Sequence, residues 1–206
     1  MKNKFTTLAS SEDLQATIIA LSQNGITAEV AKNASEAKEM ALELIPKGAE
    51  VMTATSKTLE KIGLDTLLND SGGYNSVKSQ LKKLNREKDG LQMQKIGAAP
   101  EYMIGSVHAI TRDGKVIVAS GSGSQLPGYS YGAPHVVWVV STKKIVKNID
   151  EGMERIYKHI LPLEDARMKE VYGPEAGSNP RKILIFNAEL NPNRIRVIFV
   201  TEDLGF

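Results

Sequence analysis

Apolar side chains recur at helical spacing through the first half of this chain and in short unbroken runs through much of the second, and the two rhythms predict different elements. Leu14, Ile18 and Leu21 share one helical face behind Ser10, Ser11, Glu12 and Asp13, and Gly25 closes the segment, which is the pattern of a capped amphipathic helix. "ITAEVA" from Ile26 predicts a short strand. Asn33 to Ile45 repeats the helical pattern with Ala37, Met40, Ala41 and Leu44 until Pro46 and Gly48 end it. "AEVMTA" from Ala49 predicts a second strand, "TSKT" a polar turn, and Leu59 to Leu64 a short helix, so this strand runs its carboxyl end directly into a helix amino terminus. Asn75 to Ile96 reads as an exposed helix with one apolar stripe, interrupted near Gly90.

Beyond Pro100 the rhythm changes to strands: "YMIGSVHAI", an "RDG" turn, "KVIVAS", a long Gly/Ser/Tyr loop and "HVVWVV". Asp113-Gly114 between two apolar runs predicts a hairpin, with its two strands antiparallel neighbours. Ile149 to Ile160 and Glu164 to Val171 read as helices, with His159 on the surface; "GPEAGSNP" is a loop, and "KILIFNAE" and "RIRVIFVTE" are strands. Runs such as "VVWVV" do not alternate, which points to a sheet covered on both faces and places Trp138 in the core. The expected fold class is α/β with a mixed sheet, in one domain over 1–206, of which 1–48 is the less distinctive part.

Composition narrows the chemistry. The chain has no cysteine, which excludes disulfides, thiolate zinc sites, a cysteine nucleophile and iron–sulfur ligation by this chain. Twenty-six Lys and Arg against 24 Asp and Glu give a net charge of +2, too small a field to argue for nucleic acid or membrane surfaces. The start, "MKNKFTTLASSEDLQ", lacks the apolar run of a signal peptide, and no segment is apolar for long enough to span a bilayer, so a cytoplasmic protein is expected. No two histidines stand at ligand spacing, and no structural metal is expected.

Two stretches follow strands, where ligands sit in open α/β sheets. In the first, Thr55, Ser56 and Thr58 offer hydroxyls and Lys57 a positive charge beside a helix amino terminus, although Ser56 or Thr58 could equally just cap that helix. In the second, Gly121 and Gly123 allow backbone N–H groups to approach a ligand, while Ser120, Ser122, Ser124 and Gln125 can satisfy phosphate or carboxylate oxygens. Tyr129 and Tyr131 set this loop apart from a merely flexible linker. Connections this long are usually functional or disordered. His108, Glu60 and Glu101 are the acid–base candidates, and His135 a further histidine at a strand start.

Taken together, "TATSKTLEKIGL", "GAAPEYMIGSVHAITRDGKVIVASGSGSQLPGYSYGA", "VVWVVSTKKIVKNIDEGMERI" and the closing "RIRVIFVTEDLGF" resemble the lactate-utilisation (LUD) domain family. The resemblance implies a three-layer α/β/α sandwich around a mostly parallel sheet, similar to the fold of glucosamine-phosphate deaminase, ribose-phosphate isomerase and coenzyme A transferases. It carries the family's Ser-Lys-Ser/Thr block onto Ser56, Lys57 and Thr58, with Glu60 close by. It also implies a small anionic metabolite as ligand and iron–sulfur redox subunits as partners, this chain being the cluster-free component. It names no cofactor for the chain and leaves a homo-oligomer open. Three readings follow: a ligand-binding or accessory subunit for lactate or a related hydroxy acid, a stand-alone enzyme on a phosphorylated or coenzyme A-linked molecule, and an interaction module.

Overall fold

The computed structural model describes residues 3–206. In chain order the helices are α1 (Ser11–Gln23), α2 (Ala34–Glu43), α3 (Lys57–Lys61), α4 (Leu64–Asp70), α5 (Val77–Leu81), α6 (Arg86–Ala98), α7 (Ile149–Arg155) and α8 (Leu161–Tyr172). The strands are β1 (Thr27–Ala31), β2 (Glu50–Thr53), β3 (Asn75–Ser76), β4 (Tyr102–Gly105), β5 (Ala109–Thr111), β6 (Val116–Ser120), β7 (His135–Ser141), β8 (Ile145–Val146), β9 (Lys182–Phe186) and β10 (Ile195–Val200).

Two sheets result. Six strands in the order β1-β10-β7-β4-β2-β3 form a parallel sheet, and β8-β5-β6-β9 form a smaller one in which β6 runs antiparallel to both neighbours. Successive residues of β7 point to opposite faces. Val136, Trp138 and Val140 meet Leu14 and Leu21 of α1 and, from the small sheet, Val116, Val118 and Phe186. Val137 and Val139 meet Ala37 and Ala41 of α2 and Leu64 and Leu68 of α4. The parallel sheet is therefore covered on both faces in the expected three-layer α/β arrangement, with the small sheet sharing one cover with α1. The far side of the small sheet, through Ala109 and Ile117, packs on Ile156 and Ile160 of the π-helical turn that joins α7 to α8.

Four local expectations are corrected. "YMIGSVHAI" is not one strand: the chain leaves the parallel sheet after Gly105 and enters the small one at Ala109, so Ser106 to His108 cross between sheets. The helical segment after Asn75 breaks at Lys82–Asn85 rather than near Gly90. There the Asn85 side chain accepts the Glu87 N–H at 2.9 Å, and Asp89 accepts the Asn85 N–H at 2.8 Å, a capping arrangement stronger than a lone glycine's effect. His159 is only 7% exposed, because it sits in the π-helical turn and faces Phe5 and Asn3. Finally, the loop after β6 is not open chain: Leu126 to Gly132 form a helical turn.

That turn is anchored by Tyr129 and Arg194. The Tyr129 ring lies edge-on to Trp138, with centroids 5.3 Å apart, and its hydroxyl sits over Gly105, where a Cβ would lie 1.8 Å from it. Arg194, 8% exposed, donates to the carbonyls of Gly128 (3.2 Å), Tyr129 (2.9 Å) and Ala133 (2.9 Å) and to Glu189 at 2.7 Å. These bonds satisfy carbonyls that the short turn leaves over. Among the described residues no helix is long and apolar enough to cross a membrane. Arg194→Ala strips Glu189 of its cation and the Tyr129 and Ala133 carbonyls of their donor, and the expected loss of stability is about 3–5 kcal/mol in urea unfolding; a loss below about 1 kcal/mol contradicts this role.

Candidate functional site

A cleft of about 650 Å³ opens where the carboxyl ends of β2 and β4 face the end of β6. It is bounded by Thr53 to Thr58 after β2, Ser106 to His108 after β4, Ala119 to Ser122 at the end of β6 with Ser124 and Gln125 beyond, the α8 surface, and Gly177 to Arg181 before β9. Such a position is the usual one for ligands in open α/β sheets, because loops converge where strands end.

The first predicted stretch forms one wall. Ser56 caps α3, its hydroxyl accepting the Leu59 N–H at 3.3 Å, and Lys57 pairs with Glu60 at 2.6 Å. Capping and site lining thus coexist in Ser56. Thr58 is buried, and its Oγ1 has no partner among the described residues. Gly205, at φ 69°, lies against that hydroxyl so closely that a Cβ there would sit 2.3 Å from Oγ1.

The second stretch forms the opposite wall and is held by its own hydrogen bonds. Ser120 donates to Gln125 Oε1 at 2.9 Å and accepts the Gly123 N–H at 2.8 Å. Ser122 and Ser124 hydroxyls lie 3.1 Å apart, and Lys182 donates to the Ser122 carbonyl at 2.8 Å. Ser120, Gly121, Ser122, Ser124 and Gln125 therefore share the cleft with Thr55, Ser56, Lys57 and Thr58.

The cleft is electropositive. Lys57, Lys78, Arg86, Arg167 and Arg181 line it against one carboxylate, Glu164, which Arg167 already engages at 2.5 Å. Lys78 is aimed by Asp65 (3.0 Å), whose carboxylate is fixed in turn by Thr53 Oγ1 (2.9 Å) and Asn69 Nδ2 (3.1 Å). Ile156, Ile160, Leu161, Met168 and Phe206 supply an apolar side.

At the floor the His108 Nδ1 accepts the Ala119 N–H at 3.1 Å, which leaves Nε2 as the protonated nitrogen of a neutral ring. Burial, with the charges of Lys144 and Arg155 beside it, pulls His108 down to about 3. Arg155 is 0% exposed and donates from Nη1 to the His108 carbonyl at 2.8 Å, while its Nε and Nη2 have no partner among the described residues. Lys144 completes the floor, its Nζ 3.0 Å from Ser106 Oγ and 3.0 Å from the Val107 carbonyl.

Other predicted residues lie elsewhere. Glu101 stands just before the amino end of β4, the far end of the sheet from the cleft, where its carboxylate accepts the Glu50 N–H and its own N–H donates to the Glu50 carboxylate. His135, at the amino end of β7, stacks on Tyr102 at 4.6 Å. Tyr129 is core, and Tyr131, 91% exposed, points away from it into solvent. Gly123 bonds within its loop behind the lining, and Glu60 reaches the site only through Lys57. Sequence reasoning missed Ser106, Lys78, Lys144, Arg167 and Arg181. No spacing signal singles these out, since each comes from a different segment and only folding collects them. Among the described residues no group of three or more His, Asp or Glu is placed to hold a metal ion.

The architecture and cleft define an α/β protein with a ligand-sized hollow over its strand ends. The LUD domain family model matches residues 14–200, and the chain belongs to that family, which associates it with lactate utilisation at family level. A crystal structure of a DUF162 family protein from Deinococcus radiodurans superposes with a TM-score of 0.60 at 13% identity, covering 94% of this chain and 99% of that one. At that identity the likeness shows the fold. Comparison with curated proteins gives no match.

The low value for His108 sets a pH dependence. Between the ordinary 6.5 and about 3 the unfolded chain takes up a proton at His108 that the folded chain refuses, so this contribution to stability is complete above 6.5 and lost as pH falls through that window. An NMR titration of the ring is expected to show it uncharged down to about pH 4; a midpoint near the ordinary histidine value contradicts the burial described above.

Proposed function

We propose that the cleft binds a small carboxylate-bearing metabolite of the hydroxy-acid or oxo-acid class, and that the chain serves lactate utilisation as a ligand-binding or accessory component. The observation that carries this is the gathering of positive charge: five cations from separate segments line one hollow, and while Glu60, Asp65 and Glu164 pair with three of them, Arg86 and Arg181 have no carboxylate partner among the described residues. The two unpaired guanidinium groups leave positive charge in the hollow that an anion would answer. Lys57 and Arg181 stand at the rim, positioned to recruit the ligand's charge, while Ser106 and the neutral Nε2–H of His108 offer uncharged donors deeper in. Having no cysteine, the chain would leave electron transfer through thiolate-held iron–sulfur clusters to partner subunits.

A second reading, an enzyme for a phosphorylated or coenzyme A-linked molecule, is favoured by one feature. The hollow is roomier than a three-carbon acid needs and has an apolar side formed by residues such as Ile156 and Met168.

Thermal-shift and calorimetric titrations with lactate, pyruvate, sugar phosphates and acyl coenzyme A esters separate the two. Stabilisation by lactate or pyruvate, weakened about tenfold or more by Lys57→Ala combined with Arg181→Ala, is the expected result. Stabilisation by phosphorylated compounds alone transfers the assignment to the second reading. No response to any of these anions from folded protein overturns both.

A further inference from the structure

Lys144 differs from every other lysine of the cleft. It lies in the 3-10 turn Thr142–Lys144 between β7 and β8, and is 5% exposed. Lys57 is paired with Glu60 and Lys78 with Asp65, and the adjacent Lys143 is turned onto Asp203 and the Gly205 carbonyl. Lys144 has no carboxylate within ion-pair reach among the described residues. Its Nζ contacts two neutral oxygens, Ser106 Oγ and the Val107 carbonyl, each at 3.0 Å.

Its surroundings make an ammonium there costly. The guanidinium of Arg155 is wholly buried beside it with two nitrogens unanswered, and the Lys143 charge adds to the same field. Burial first, then Arg155 and Lys143, hold the Lys144 amine well below the usual lysine range. A neutral amine has two N–H donors, which the two neutral oxygens satisfy, and a lone pair that remains available. Desolvation next to another cation is a known way to make a lysine nucleophilic.

We propose that Lys144 is a nucleophile that condenses with the carbonyl carbon of a carboxylate-bearing ketone or aldehyde, a 2-oxo acid being the simplest, to form an imine at the floor of the cleft. This rests on the reading that the cleft recruits carboxylates: the cationic rim selects the acid, and the buried amine selects its carbonyl. In the first step the Nζ lone pair forms the C–N bond, the carbonyl π pair moves to oxygen, and a proton passes from nitrogen to that oxygen. In the second, the remaining nitrogen pair forms C=N as the hydroxyl departs, and the last nitrogen proton leaves with it as water. Nothing is oxidised or reduced. His108 lines the same floor with a neutral ring protonated at Nε2, a donor suited to the oxygen on which negative charge develops.

Borohydride trapping tests this. The full chain is incubated with pyruvate or glyoxylate, reduced with sodium borohydride, and mapped by peptide mass spectrometry, while pyruvate binding is measured in parallel by calorimetry. The expected result is one reduced adduct per chain on the Lys144 peptide, absent in Lys144→Met, and about tenfold less trapping of acetone, which lacks the carboxylate. The peptide map of the unaltered protein decides the case even if the variant fails to fold. Binding without trapping at Lys144 overturns the imine and leaves the anion-binding reading standing. Adducts spread over surface lysines overturn it as well, and absence of both binding and trapping overturns the two together.

Discussion

Positive charge gathered around one hollow, only part of it answered by carboxylates, is the constraint from which the site follows. Lys57, Lys78, Arg86, Arg167 and Arg181 meet there from five separate segments; Glu60, Asp65 and Glu164 pair with three of them, and Arg86 and Arg181 have no carboxylate partner among the described residues. Beneath them Arg155 is buried without a carboxylate. A fold does not hold such a group together for its own stability, since each like-charge approach works against folding and buried charge adds a desolvation cost. The arrangement gains when an anion occupies the hollow. Stability given up at a site and recovered on binding is the usual relation between function and local strain in the structure.

The scaffold tolerates this because the rest of it is tightly specified. The parallel sheet is covered on both faces by unbroken apolar packing, with Trp138, Phe199 and Val137 fully or almost fully enclosed. Polar groups brought inside are answered: Arg194 collects three carbonyls and Glu189, and Asp65 is held by Thr53, Asn69 and Lys78. Others have no partner among the described residues: Thr58 Oγ1 at the cleft and two nitrogens of Arg155 beneath it, but also the Tyr129 hydroxyl and Trp138 Nε1 in the core.

Much of the scaffold was legible because it rests on local signals. Ser10 and Asn33 cap the helices their positions announced, Asp113-Gly114 turns the hairpin, and the non-alternating "VVWVV" is buried on both sides. The two stretches that wall the candidate cleft were legible too, as hydroxyl- and glycine-rich segments that follow strands. The floor was not. "YMIGSVHAI" carries only Gly105, Ser106 and His108 to interrupt its apolar run, too weak a local signal to report that Ser106 to His108 leave one sheet for another, and that crossing is what brings His108 to the cleft. Lys143 and Lys144 look alike in sequence and are equally buried, yet one pairs with Asp203 and the other reaches Ser106 at the cleft. Tyr129 and Tyr131, two residues apart, divide between core and solvent because the helical turn points one at Trp138. In each case tertiary placement, which propensity does not encode, decided the outcome.

The central claim is that an anion enters between the two walls. Amide chemical-shift mapping by NMR on titration with pyruvate examines it directly. The largest shifts are expected on Ser56 to Leu59, Ser106 to His108 and Ser120 to Gln125, with the amino ends of the strands around Glu101 and His135 unmoved. Shifts centred on those amino ends, or scattered evenly over the surface, would contradict it.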